Sequence, residues 1–142
     1  MSWSRSRRAF AGTGLALVTT VIGPAAAAAS NASASRPDVV LKTFLEDIGA
    51  HKISAAKSLM TPSYEKTVAQ TADSLFTNVI TLANITIGRV HYYGVRQANV
   101  PCAFVINQYH VGGWNNGRVT FAFQLSQSRP GSPWRVSSGG TG

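Results

Sequence analysis

The sequence predicts an α+β domain preceded by an export signal, and three observations carry that expectation. Apolar residues recur at one-face helical spacing at Val40, Leu41, Phe44, Leu45 and Ile48. From Ile80 onward the pattern changes to strand-like segments separated by turn dipeptides, Asn116-Gly117 and Pro130-Gly131 among them. Helices come first and strands after them, an order that packs the helices on one face of an antiparallel sheet.

Residues 1–29 read as a signal peptide. Arg5, Arg7 and Arg8 open it, an apolar run from Ala9 to Gly23 follows, and an alanine tract ends it at an A-x-A site after Ala29. The run is too short to anchor the mature form in a membrane. Ser6-Arg7-Arg8-Ala9-Phe10 also fits the twin-arginine export pattern, with the general secretory route as the alternative. Residues 30–36 are small and polar and read as a flexible segment. The domain is expected over residues 37–142 of an extracellular or cell-envelope protein.

Ser35-Arg36-Pro37-Asp38 reads as a helix start, with a serine cap, an early proline and an acid in the first turn. Gly49 suggests the stop. A second helix is expected from Ile53 to Met60, ended by Thr61-Pro62, and a third from about Ser63 to Thr71. Strands are expected at Ile80–Tyr93, Val100–Val111, Arg118–Leu125 and Trp134–Ser138.

Composition narrows the function classes. A lone cysteine, Cys102, rules out an intramolecular disulfide, so the domain has to fold by burial alone. About 110 residues suffice for one core. No Cys, His and acidic cluster has metal-ligand spacing and no glycine-rich phosphate loop follows a strand, so neither metal nor cofactor is expected. The chain carries 13 Lys and Arg against 5 Asp and Glu, a net charge of +8. The acids Asp38, Glu46, Asp47, Glu65 and Asp73 all precede residue 74. Beyond it stand Arg89, Arg96, Arg118, Arg129 and Arg135 without one carboxylate side chain. That asymmetry suits an anionic envelope surface. The arginines stand singly, without a basic helix or aromatic platform, which argues against nucleic acid.

Strand parity assigns the faces. An even loop at Gly112–Gly117 puts His110, Gln108, Ile106, Phe104 and Cys102 on one face with Val119, Phe121, Phe123 and Leu125. That set is the more apolar, so it should face the helices. Asn107 and Tyr109 then point outward, beside Thr120, Ala122 and Gln124. The same parity across Gly94–Asn99 turns Ile85, Ile87, Arg89, His91 and Tyr93 inward. Across Pro130-Gly131 it turns Trp134 and Val136 inward, with Val136 opposite Leu125. A single β-bulge would flip part of this assignment.

The helical stretch VVLKTFLEDIGAHKISAAKSLMTPSY and the closing PWRVSSGGTG resemble the nuclear transport factor 2-like superfamily, in an exported bacterial member of actinobacterial type. The resemblance runs from about Asp38 to Gly142. It implies a cone, with helices packed into a strongly curved antiparallel sheet and a pocket between them. Members include steroid isomerases, polyketide cyclases, dehydratases and non-catalytic exported domains, so fold leaves function open. Catalytic members carry an acid, or a His–Asp pair, in the pocket, and the strands here hold no carboxylate. Any base would be His110 or His91, with Tyr93 as hydrogen-bond donor and Asp47 or Asp73 to orient it.

Three function classes follow. The leading one is a secreted, non-catalytic domain that binds a small apolar or amphipathic ligand among His91, Gln108, Phe104, Phe121 and Trp134, with Trp114 capping the pocket or folding back on the sheet. A second is a protein-interaction or envelope-associated module, a homodimer through an outer face of Tyr92, Tyr109, Thr120 and Gln124. The third is a small isomerase, cyclase or dehydratase that uses His110 with Tyr93 as catalytic residues.

Overall fold

The computed structural model describes residues 36–71 and 74–140. The signal peptide expected over residues 1–29, the Ser35 cap and Asp73 lie outside the described residues. Helix α1 spans Pro37–Gly49, and its N-cap residue is Arg36, with no side-chain cap. Arg36 pairs instead with Asp38 at 2.7 Å, in the first turn where an acid meets the positive end of the helix. Val40, Leu41, Phe44, Leu45 and Ile48 are all buried, as their spacing predicts.

Gly49 does end α1, but closeness rather than backbone freedom explains it. A Cβ there would stand 2.4 Å from the carbonyl oxygen of Leu82, so the helix end lies directly on the first strand. The left-handed residue of this corner is His51, at φ 58°. Its Nε2–H donates to the Ile80 carbonyl at 3.0 Å, tying the corner to the sheet.

Helix α2, Ile53–Ser58, is shorter than expected. Leu59 to Thr61 are taken by the last strand: the Val136 N–H donates to Leu59 O at 2.8 Å and the Thr61 N–H donates to Val136 O at 2.9 Å. Thr61-Pro62, expected to end α2, instead starts α3, Pro62–Ala69, with the Thr61 hydroxyl accepting from the Tyr64 N–H at 3.3 Å.

The sheet is antiparallel, five-stranded and not closed, in the order β1-β3-β4-β5 with β2 also on β3. The strands are β1 Val79–Ile87, β2 His91–Tyr92, β3 Gln97–Gln108, β4 Gly117–Ser126 and β5 Arg135–Gly140. Phe104 faces Val119, Cys102 faces Phe121 and Val100 faces Phe123, the register the even-loop argument expects. Leu125 faces Val136, also as expected.

The expected first strand is in fact two. It breaks at Gly88–Val90, and beyond β2 the Tyr93 N–H still donates to Gln97 O, so three residues, Gly94–Arg96, rather than an even number separate the last paired positions. The parity therefore flips there. Ile85 and Ile87 pack against the core, but Tyr92, not Tyr93, takes the inward position opposite Ala98 and lays its ring 6.0 Å from Trp134. His91 and Tyr93 are exposed, and so is Arg89. Tyr92 thus leaves the outer face proposed for dimer contact, while Tyr109, Thr120 and Gln124 remain exposed.

The core lies between α1 and the inward face of β3 and β4. Phe44 meets Phe123 edge-on at 5.9 Å, and Val100, Phe104, Ile106, Leu125 and Val136 are fully buried around them. Gly49→Ala separates two effects by magnitude. Alanine favours a helix by about 1 kcal/mol, whereas overpacking against a backbone oxygen that cannot rotate away costs about 1–3 kcal/mol. The net expectation is a lower urea midpoint; an unchanged or higher midpoint would show that α1 is free to slide on β1.

Candidate functional site

Beyond Gln108 the chain leaves the sheet and must return to Gly117, so the backbone groups of residues 109–116 need partners other than a strand. Asn78, only 3% exposed, supplies them for Tyr109 and His110. Its Oδ1 accepts from the His110 N–H at 2.9 Å, and its Nδ2 donates to the His110 carbonyl at 2.7 Å and to Gln108 Oε1 at 3.3 Å. Its own carbonyl accepts from the Tyr109 N–H at 3.0 Å.

Gln108 extends this chain of amides. Its Nε2 donates to the Trp114 carbonyl at 3.0 Å, and its backbone N–H donates to Asn116 Oδ1 at 2.9 Å. The loop is thereby drawn back over the inward face. Trp114 meets Phe121 at 4.8 Å and Phe104 at 5.5 Å, both edge-on.

Next to Trp114 lies a hollow of about 300 Å³, lined by Thr71, Ser74, Leu75, Val79, Gln108, Gly113 and Trp114. Ser74 is buried at its edge, with its hydroxyl accepting from the Phe76 N–H at 3.3 Å. The volume is at the small end for ligand sites. The lining named here holds apolar surface and neutral hydrogen-bonding groups, and no ionisable side chain. Such a site can orient a small molecule, and the groups on it offer no base.

Deeper in, the interior is filled. Phe121 meets Phe123 at 5.0 Å, and a Cβ on Gly139 would stand 2.9 Å from both Phe121 Cε1 and Tyr64 Oη. Glycine on β5 is what lets these rings pack against the sheet. Burial pushes the Tyr64 phenol up from 10.0 to about 12 and the Cys102 thiol up from 9.0 to about 12.

The expected site residues divide between two ends of β3. Gln108 lines the hollow, Phe104 is buried beneath Trp114, and Phe121 is half-buried beside it. Trp134 is buried against Tyr92 at the far end. His110 sits past the end of β3 and is exposed; the structure uses its backbone in the Asn78 clasp. Its inward placement is corrected, because the strand ends at Gln108 before parity can reach it. Tyr93 pairs with Gln97 at the opposite end. At about 3.3 Å per residue, the length of β3 separates Tyr93 from His110 by roughly 35 Å along the strand, so the two do not share a site.

Asn78 escaped sequence reasoning. An asparagine just before a strand reads as turn chemistry, and nothing local shows that its partner is thirty-two residues on. Among the described residues no group of three metal-ligating side chains is brought together.

No protein-family model matches the chain, and no curated protein matches it. The fold defines the class: an α+β domain with helices packed on one face of an open antiparallel sheet.

Asn78→Ala removes three side-chain bonds from a buried position and is expected to lower stability by about 1–3 kcal/mol. Amide exchange at His110 should rise in the same variant, and protection that persists there would remove the clasp from the account. A second expectation concerns alkali. Both buried groups hold their protons more tightly folded than unfolded, so their contribution is intact below pH 9.0 and is lost as pH rises toward about 12. Urea midpoints should fall across that window, and Cys102→Ala should delay the onset.

Proposed function

We propose that the chain is an exported, non-catalytic domain of the nuclear transport factor 2-like type whose hollow beside Trp114 takes a small apolar or amphipathic molecule. Support for export is the basic, apolar and small-residue order of residues 1–29. Support for the curved, cone-like form comes from register shifts in both outer strands, at Val79/Thr81 and Ala83/Thr86 in β1 and at Ser137 in β5, opposite Gln124/Leu125 of β4, since bulges bend the strands that carry them.

The observation that carries the binding reading is the hollow itself. Trp114, Leu75 and Val79 give it apolar walls, and Gln108 and Ser74 place neutral polar groups at its edge. A binding role fits better than a catalytic one because His110 and Tyr93 lie at opposite ends of β3.

The experiment is native mass spectrometry of the protein recovered from its host's medium, followed by titration with an apolar fluorescent probe. A reproducible adduct, and probe binding weakened at least about tenfold by Trp114→Ala, are the expected results, since a lost ring contact of about 1.4 kcal/mol is a factor of ten. No adduct together with unchanged probe affinity in the variant would sink the proposal.

A further inference from the structure

We propose that the β2–β3 hairpin tip docks on an anionic phospholipid surface. This surface lies at the opposite end of β3 from the hollow and does not depend on it. The segment Tyr92-Tyr93-Gly94-Val95-Arg96-Gln97 turns sharply, with Gly94 at φ 70° and the Tyr93 N–H donating to Gln97 O at 2.8 Å. The turn projects Tyr93 and Val95 at 59% and 76% exposure, and the Tyr92 ring, on the face toward Trp134, is still 61% exposed. Three neighbouring side chains this exposed surround the tip from both faces, unlike a single surface valine.

The tip is also braced. Arg96 Nη1 donates to Ser128 O at 2.9 Å, and the Gln127 N–H donates to Arg96 O at 3.0 Å. That contact brings Ser128, the chain neighbour of Arg129, against Arg96, while Arg89 and His91 lie on the chain leading into the hairpin. No carboxylate side chain occurs after residue 74, and the ion pairs of the described residues are all among residues 36–65. Beside the tip an open hollow of about 290 Å³ lies between Tyr93, Val95, Arg96, Gln97, Ser126 and Gln127.

A membrane interface matches each part of this arrangement. Tyrosine rings rest at headgroup depth, an apolar tip gains by entering the acyl boundary, and arginines reach the phosphates with their stems along it. A soluble polyanion would be met by the same arginines but gains nothing from Val95. The exposed valine therefore favours the lipid surface.

The test uses the full chain and a readout at the tip, because residues 1–29 have apolar character of their own. Val95→Cys labelled with an environment-sensitive fluorophore reports the tip alone, as Cys102 is buried. With vesicles of phosphatidylcholine containing about a third phosphatidylglycerol, the label should shift to the blue and be quenched by brominated acyl chains. Pure phosphatidylcholine should give neither effect. At about 1 kcal/mol per basic residue near an anionic surface, Arg129→Gln or Arg89→Gln should each weaken the label-reported binding about fivefold. A label that never shifts on anionic vesicles overturns the proposal. So does an equal shift with a soluble polyanion such as heparin, or arginine variants that bind unchanged.

Discussion

One strand holds the rest of the molecule in place. Along β3 the even positions from Ala98 to Ile106 are buried, and the same strand pairs with β1 and β2 on one edge and β4 on the other. Because side chains alternate with a period of two, a slip of one residue would turn that whole row to solvent. The register is therefore fixed by burial. Phe44 of α1 and Phe123 of β4 then have only one surface on which both can be covered. No disulfide assists, so the row and its partners carry the fold.

Much of this was legible from residues. The apolar stripe of α1 and the pairing of Val136 with Leu125 both follow from spacing and parity, which are local rules applied to unbroken elements. The failures occur where an element is broken. Gly88–Val90 carries strand-like residues on either side, and nothing in that run announces that the chain stops pairing and restarts. The three-residue loop beyond it then reversed His91 and Tyr93. The shortened α2 has a different cause, since Leu59 and Thr61 give their backbone groups to Val136, a partner far along the chain. Gly49 does close α1, yet not through the backbone freedom that glycine suggests in a sequence. Its missing side chain matters because Leu82 lies against it.

The polar cluster after Ile106 shows the same division at the candidate site. That Asn107 faces outward is parity, and its amide donates to Thr81 Oγ1 at 3.0 Å on that face. What Gln108 does there required Asn78 and Trp114, which approach it only through the loop's return. A buried amide that bonds a loop backbone stabilises by leaving no donor or acceptor stranded, and no pattern in one segment reveals it.

The filled interior also decides where function can reside. Tyr64, Phe121 and Phe123 crowd over Gly139, and Phe104 is covered by Trp114, so the middle of the layer between helices and sheet is spent on packing. A chain that must fold by burial alone has strong reason to close that space, because an empty apolar cavity is costly in proportion to its volume. Open hollows lie at the two ends of β3, where the backbone exits the sheet. Those ends have opposite chemistry. The Gln108 end closes on itself through neutral amides around an apolar hollow, while the Gln97 end projects rings, a valine and arginines that meet no carboxylate. Every acid stands before residue 74, and the ion pairs of the described residues leave out the arginines of that second end, which links the charge asymmetry of the chain to one surface of the fold.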